Sequence, residues 1–211
     1  MKIALFGGTF DPVHNGHLAV AQVAADRFGL ESVLFIPSGR PPHKDRGPQA
    51  AYEDRYRMVE LACQSDPRFA PSRLEDPREL GDGKTYSIDT IERVRKDLAP
   101  DDELYFLIGQ DAFDELCIWH RLEDVIEKVD FIVASRPHHV SSLRREGLAA
   151  QARYRTLEGV DEPVSATEVR RLAARGADLR GSVPEAVAGY IRQHRLYRHG
   201  DANPSHQMAC D

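Results

Sequence analysis

The chain has 211 residues, with 28 basic and 34 acidic side chains and a formal net charge of −6. Apolar residues make up 41% and charged residues 29%, which is typical of a folded globular protein and not of a disordered one. Its longest apolar runs are four or five residues. A membrane span needs about 20, so none is predicted.

The net charge and the cysteine content indicate which binding partners and which cellular compartment to expect. A general nucleic-acid binder is usually basic, so no nucleic-acid partner is predicted for this acidic chain. The first residues lack the apolar core of a signal peptide. Three widely spaced cysteines fit neither a disulfide framework nor a paired-cysteine zinc site: Cys63, Cys117 and Cys210. We therefore predict a cytoplasmic protein.

Short apolar runs alternate with helical patterns over the first two thirds of the chain. The runs predict strands at residues 2–6, 32–36, 69–70, 103–108 and 131–134. Apolar spacings of three and four predict helices at residues 17–28, 52–64, 87–98 and 122–129, with Gly29 as the C-cap of the first. The apolar stripe of the second helix comprises Tyr52, Tyr56, Val59 and Cys63. This alternation predicts an α/β fold with a doubly wound parallel sheet, whose ligands bind beyond the carboxyl ends of the strands.

The last third of the chain is helical. Helices are predicted at residues 164–175 and 184–194, and Gly176 is placed to end the first. Two pairs have capping-box spacing: Ser165 with Glu168, and Ser182 with Glu185. We predict one domain of residues 1–199 in which residues 164–199 form a small helical lobe. Residues 200–211 are predicted to be a flexible tail, and residues 40–49 a loop.

The first predicted strand leads into the sequence Gly-Gly-Thr-Phe-Asp-Pro-Val-His-Asn-Gly-His at residues 7–17. Its two glycines allow a ligand to approach the backbone, although their spacing is not the dinucleotide fingerprint. His14 and His17 lie on one face of a helix start, where the dipole favours a phosphoryl group, and Gly16 between them leaves room for a ligand. Two alternatives are a metal pair, for which no third ligand has suitable spacing, and plain surface histidines.

Two further segments offer groups for phosphate. Ser165, Thr167 and Arg170 open a helix and combine hydroxyls with a guanidinium, although a plain capping box with a solvated arginine explains them equally well. Lys44 follows the second strand within Pro-Pro-His-Lys and is a candidate phosphate ligand. Its alternative is an exposed loop lysine.

Three more segments suit the other parts of a nucleotide. Thr85 and Tyr86 lie at a helix start, where backbone N–H groups lack helical partners. Asp111 follows Gly109 at a strand end and is placed for ribose hydroxyls, or else it is a helix N-cap. Trp119, the only tryptophan, stacks on a base or belongs to the core.

Taken in order, these motifs closely resemble the bacterial nicotinate-nucleotide adenylyltransferases of the HxGH nucleotidyltransferase superfamily, from Met1 to about Tyr197. The HxGH signature marks only the superfamily. The Pro-Pro-His-Lys loop, the Thr-Tyr-Ser-Ile-Asp-Thr segment and the Gly-x-Asp with its downstream tryptophan point to the family. One departure is Ala166, because the family usually has a serine there.

The resemblance implies transfer of the adenylyl group of ATP to nicotinate mononucleotide, giving deamido-NAD and pyrophosphate. It implies catalytic roles for His14, His17, Lys44 and Arg170. The implied ATP contacts are Gly7, Gly8, Thr9, Phe10, His17, Gly109, Asp111, Ser165, Thr167 and Arg170. The implied mononucleotide contacts are Gly8, Thr9, Lys44, Thr85, Tyr86 and Trp119. No metal ligands are predicted in the protein, so Mg²⁺ is expected to arrive on ATP.

Two other functions suit parts of the same pattern. Phosphopantetheine adenylyltransferases share the phosphate motifs, but as a family they are shorter and lack the Trp119 region. A nucleotide sensor on the same scaffold is the second alternative. A sensor need not keep His14, His17, Lys44 and Arg170, so their presence favours the enzyme. Nothing in the sequence indicates the number of subunits.

Overall fold

A computed structural model describes residues 1–40, 47–81, 84–135, 147–160 and 163–198. Within them, six parallel strands form one sheet in the order β3-β2-β1-β4-β5-β6. The strands are β1 Lys2–Gly8, β2 Ser32–Pro37, β3 Phe69–Pro71, β4 Glu103–Gly109, β5 Asp130–Ala134 and β6 Tyr154–Leu157. This order confirms the predicted doubly wound sheet, and it reverses between β1 and β4.

Helices connect the strands and close the chain. They are α1 Asn15–Phe28, α2 Tyr52–Cys63, α3 Pro77–Leu80, α4 Ser87–Asp97, α5 Gln110–Asp114, α6 Leu122–Lys128, α7 Ala166–Ala174 and α8 Glu185–Gln193. Short 3₁₀ turns occur at Leu116–Ile118 and Gly147–Gln151. Every predicted helix and strand is present, with ends within about two residues of those expected. In the described part of the chain, no helix has the length and apolar character needed to cross a membrane.

The sheet is covered on both faces, because alternate residues of each strand point to opposite sides. Ala4 and Phe6 of β1 belong to the core shared with α1, α2, α7 and α8. Ile3 and Leu5 belong to the second core, which α4 and α6 cover. The C-terminal helices therefore pack on the same core as α1 and α2. The domain limits and the tail at residues 200–211 stay predictions, since that tail lies outside the described residues.

The helix ends test the predicted caps. Gly29 and Gly176 both adopt a left-handed conformation, with φ of +66°, just after α1 and α7 respectively. The Ser165 hydroxyl accepts the Glu168 amide at 3.2 Å, as predicted. The Ser182 cap is wrong: α8 begins after Pro184, and the Ser182 amide instead donates to Leu179 in the preceding turn.

The buried face of α2 differs from the predicted stripe. Tyr52 and Tyr56 are only partly buried, whereas Arg55 is 2% exposed. Val59 and Cys63 of the predicted stripe are buried, but Arg55, Met58 and Ala62 share their face, so the helix is rotated relative to the prediction. Its role emerges from the hydrogen bonds that it makes at the strand ends.

Candidate active site

A crevice opens where the strand order reverses, because the chain leaves β1 and β4 toward opposite faces of the sheet. It contains a cavity of about 350 Å³. The predicted site residues that line this cavity are Gly7, His14, His17, Gly109 and Ser165. Residues more than 150 positions apart along the chain thus meet at one site.

The two histidines form a stacked pair at the start of α1. Their ring centroids are 3.7 Å apart, with an interplanar angle of 28°. The His14 backbone amide donates to Nδ1 of His17 at 3.2 Å, so Nε2 carries the proton of the neutral His17 ring. Burial, and secondarily the nearby His14, hold the pKa of His17 well below its ordinary 6.5.

This geometry excludes one of the two alternatives for the pair. His14 is buried and His17 partly buried, so they are not plain surface histidines. Across the described ranges, no group of three or more histidine, cysteine or carboxylate side chains could hold a metal ion. A stacked, partly buried pair with a fixed tautomer suits a site that donates a hydrogen bond to an anionic group.

Two glycines of this motif make room for rings. A Cβ at Gly16 would lie 3.1 Å from Nδ1 of His14 and 3.4 Å from the Val164 carbonyl. The glycine therefore accommodates the His14 ring and the chain before α7, and it also lines the first cavity, where the expected approach of a ligand stays a prediction. A Cβ at Gly8 would lie 3.0 Å from the Phe10 ring. Phe10 is 2% exposed, and its ring centroid lies 5.0 Å from that of His17, so the buried Phe10 ring helps to hold the His17 ring in place.

Arg170 lies on α7 and contacts the loop after β1. Its Nη1 donates to the Asp11 carbonyl at 2.7 Å and its Nη2 to the Thr167 hydroxyl at 3.2 Å. The alternative of a solvated Arg170 is therefore wrong. The other part of that alternative, a Ser165 cap on the helix, is confirmed. Thr167 and Arg170 line a second cavity, of about 690 Å³, rather than the one that holds the histidines.

Asp11 connects four segments around the site and was not among the predicted site residues. Its carboxylate accepts the amides of Gln49 and Ala50 at 2.7 and 3.1 Å, and the Tyr197 hydroxyl at 2.8 Å. Its own carbonyl receives Arg170. Burial, and then the Asp11 carboxylate, raise the pKa of Tyr197, which therefore donates as a neutral phenol. Asp11 positions these groups and itself remains buried.

Arg55 of α2 links the loops that follow β1 and β2. Its Nη1 donates to the Thr9 carbonyl at 2.7 Å and its Nη2 to the Ser38 carbonyl at 2.9 Å. Burial lowers the pKa of this guanidinium, and the Asp11 carboxylate partly opposes that shift. Arg55 thus fixes the two loops that the sequence predicts for substrate phosphates.

Replacing Arg55 by methionine should destabilise the fold. The change leaves two partly buried carbonyls without their donors, at about 1–3 kcal/mol each. We expect the free energy of unfolding in urea to fall by about 2–5 kcal/mol. Arg57→Met is the matched control, because Arg57 lies on the same helix with an exposed side chain and should change stability by less than about 0.5 kcal/mol. Equal losses in the two variants would contradict a clamping role for Arg55.

The loop after β2 is fastened to the start of α4. The Arg40 amide donates to the Thr85 hydroxyl at 3.3 Å, and the Thr85 amide donates to the Arg40 carbonyl at 3.2 Å. A Cβ at Gly39 would lie 2.1 Å from the Glu75 carbonyl, so only glycine fits there. The expected free amide at Thr85 is therefore wrong, since both of its polar groups hold the loop. Lys44 lies outside the described residues.

The remaining predicted residues lie near β4 and α4. Tyr86 precedes α4, and its ring centroid lies 4.4 Å from that of His120. Trp119 is partly buried, with its ring edge-on to Phe106 at 5.5 Å, so part of it belongs to the second core. Asp111 is exposed in the first turn of α5, whose N-cap is Gly109, so the N-cap alternative for Asp111 is wrong.

Comparison with known proteins identifies the family of this chain. The family described as cytidylyltransferase-like matches residues 5–172. A protein of Solibacter usitatus named "Probable nicotinate-nucleotide adenylyltransferase" is 50% identical over 197 residues, which cover 93% of this chain and 100% of the relative. A Salinibacter ruber protein of the same name is 38% identical, covering 95% and 100%. The chain belongs to the nicotinate-nucleotide adenylyltransferase family.

Solved structures support the fold of this family member. The nicotinic acid mononucleotide adenylyltransferase of Plasmodium falciparum, complexed with NaAD, has a TM-score of 0.71 and 18% identity, and the match covers 93% of this chain and 97% of that one. The same protein complexed with APC has a TM-score of 0.69. At this identity the likeness shows the fold alone.

The family departure at Ala166 lies in the first cavity. Ala166 lines it beside Ser165, so a serine there would place a second hydroxyl next to the helix start. One neutral hydrogen bond contributes about 0.5–1.5 kcal/mol, and the helix-start amides are present with either residue. The alanine therefore removes at most one such hydrogen bond from the cavity.

Proposed function

We propose that this chain transfers the adenylyl group of ATP to nicotinate mononucleotide, giving deamido-NAD and pyrophosphate, a step of NAD biosynthesis. The observation that carries the proposal is the stacked His14–His17 pair in the crevice between β1 and β4. The names of its relatives and the NaAD complex of the structural neighbour support it. A cytoplasmic location and the lack of a nucleic-acid partner stay predictions from the sequence.

The reaction is a substitution at the α-phosphorus of ATP. A phosphate oxygen of the mononucleotide forms a bond to this phosphorus, and the bond to the bridging oxygen of the β-phosphate breaks. The bonding electrons leave with pyrophosphate. Because the attacking oxygen is already anionic, no general base and no covalent enzyme intermediate are required. Catalysis then consists of positioning and of stabilising the charge on the phosphoryl groups.

The geometry suggests a role for each group. Nε2–H of His17 donates to the α-phosphoryl oxygens, and His14 stands beside it. Arg170 and Thr167 hold the outer phosphates at the neighbouring cavity. Asp111, at the end of β4, is placed for a ribose. Mg²⁺ enters as part of the MgATP substrate, with mostly water as its other ligands.

The decisive experiment measures pyrophosphate release from MgATP with a panel of acceptors. We expect rapid release with nicotinate mononucleotide. Release with 4′-phosphopantetheine and not with the mononucleotide would indicate the phosphopantetheine enzyme. Nucleotide binding without any release would indicate a sensor. A His14→Ala/His17→Ala double variant supplies the blank for contaminating activity.

Arg170→Lys should not restore what Arg170→Ala loses. The guanidinium reaches the Asp11 carbonyl and Thr167 at the same time, and a planar fork can also meet two phosphate oxygens, whereas an ammonium cannot reproduce this geometry. We expect kcat/KM for ATP to fall about 100-fold in the alanine variant and about tenfold in the lysine variant. Arg175→Lys, at the end of the same helix, is the control. Full activity of Arg170→Lys would show that a point charge suffices.

A further inference from the structure

The carboxylate of Glu75 lies between the loop after β2 and helix α4. Glu75 is partly buried in the turn before α3. Its Oε1 accepts the Thr90 hydroxyl at 3.0 Å, and its Oε2 accepts the Gly39 amide at 3.4 Å. Its backbone carbonyl lies against the same glycine, where a Cβ would be 2.1 Å away. Glu75 therefore contacts both segments at once.

Thr85 is the third partner of this carboxylate. Its hydroxyl forms a hydrogen bond with the Glu75 side chain and also accepts the Arg40 amide at 3.3 Å. Because an ionised carboxylate can only accept, the Thr85 and Thr90 hydroxyls must both turn their protons toward Glu75. This orientation leaves a lone pair of the Thr85 oxygen facing the Arg40 amide.

The carboxylate is held by neutral donors in a partly buried place. Burial raises the pKa of Glu75, and the hydrogen bonds from Thr90, Thr85 and the Gly39 amide oppose that shift. Thr85 and Thr90 are themselves buried, at 8% and 3% exposure. The cost of burying an acid is offset only when its donors are all in place, so the carboxylate keeps the three groups together.

We propose that Glu75 is a positioning residue for the acceptor substrate: by orienting the Thr85 and Thr90 hydroxyls and the Gly39 amide, it sets the start of α4 relative to the loop after β2. The inference rests on the proposed function, in which this helix start meets nicotinate mononucleotide. Glu75 acts through Thr85 and not by touching the substrate. The groups proposed for ATP lie on α1, on α7 and at the end of β4, so only acceptor binding should depend on Glu75.

Glu75→Gln separates positioning from folding. Glutamine keeps the size of the side chain, but it has one accepting oxygen and cannot accept from Thr90 and Gly39 on separate oxygens. We expect KM for nicotinate mononucleotide to rise about tenfold, while kcat and KM for ATP stay within about twofold. The unfolding temperature should change by less than about 2 °C, because burying a neutral amide costs less than burying an acid. Glu79→Gln is the matched control, since Glu79 is exposed on α3.

Thr90→Val tests the same contact from the side of α4. It removes one donor to Glu75, and we expect KM for nicotinate mononucleotide to rise about threefold. Because both changes break one hydrogen bond, the double variant Glu75→Gln/Thr90→Val should raise this KM no more than Glu75→Gln alone. Multiplied effects would show that the two side chains act separately and would contradict the proposal.

Two further results would overturn the positioning role. One is a KM for nicotinate mononucleotide that stays within about twofold in both single variants. The other is an equal rise in KM for ATP together with a lower unfolding temperature, which would indicate a general structural role. If the unsubstituted chain releases no pyrophosphate with nicotinate mononucleotide, the proposed function fails instead. Hydrogen exchange then still tests Glu75: the Gly39 and Arg40 amides should exchange about tenfold faster in Glu75→Gln than in Glu79→Gln, and equal rates would refute the inference.

Discussion

A His17→Asn enzyme should keep its fold and lose about 10²- to 10³-fold in kcat. In the native chain, Nδ1 of His17 accepts a hydrogen bond from the His14 amide at 3.2 Å. The side-chain oxygen of an asparagine can accept the same hydrogen bond, so the start of α1 is preserved. What disappears is the Nε2–H donor that we propose for the α-phosphoryl group. Because that bond strengthens as charge develops, kcat and kcat/KM should fall together while KM for ATP changes little.

His17→Gln provides the comparison for this variant. The longer glutamine side chain places an N–H near the position of Nε2, but it cannot accept the hydrogen bond from the His14 amide in the same way. We expect the activity of His17→Gln to exceed that of His17→Asn because the N–H donor is kept. Steady-state kinetics with thermal unfolding on each variant check the result. An asparagine variant that keeps more than about a third of normal kcat would remove His17 from the catalytic groups.

The protonation state of His17 bears on the pH profile. Burial holds the pKa of its ring well below 6.5, so the ring is a neutral donor at pH 7 and above. The role assigned to it therefore does not require an imidazolium. The nearby His14, whose ring centroid lies 3.7 Å away, contributes to this lowering of the pKa after burial.

The sheet could be predicted from the sequence because its signals are local. Each central strand is a short apolar run followed by a helical pattern, and the right-handed connection rule leaves few topologies. β6 was missed because three of its four side chains are exposed, which leaves neither an apolar run nor an alternation. The rotation of α2 was missed because Arg55 appears polar in the sequence and is buried in the fold.

The residues of the candidate active site likewise include some that the sequence predicts and others that it does not. His14 and His17 are neighbours in sequence, so their spacing alone places them together. Arg55, Tyr197 and the pairing of Thr85 with Arg40 depend on partners 46, 186 and 45 residues away respectively. No periodicity carries such information. A charged residue on the predicted buried side of a helix, or a tyrosine after the last helix, is visible only as a deviation from the pattern.

The enzyme should prefer nicotinate mononucleotide to its nicotinamide counterpart by about 10²- to 10⁴-fold in kcat/KM. The Ser87 and Ile88 amides in the first turn of α4 have no intrahelical partner, whereas the Asp89 amide already donates to the Tyr86 carbonyl at 3.1 Å. Together with the helix dipole they favour a carboxylate over a neutral amide. The Thr85 amide does not take part, because it donates to Arg40. The two acceptors are compared at saturating MgATP.

Ser87→Pro tests whether the helix start is the source of this preference. Proline at the first helical position removes one N–H and leaves the helix intact, and the preceding Tyr86 already has the extended backbone that proline requires, with φ of −111° and ψ of 143°. We expect the preference to fall about tenfold in Ser87→Pro and to survive in Ser87→Ala, which loses only the hydroxyl. The preference could stay unchanged in the proline variant, or the unsubstituted enzyme could use both acceptors equally. Either result would show that the amides of α4 do not discriminate between the two mononucleotides. The aromatic groups at Tyr86 and Trp119 would then be the next candidates, because a stacking surface holds either pyridine ring without discriminating its charge.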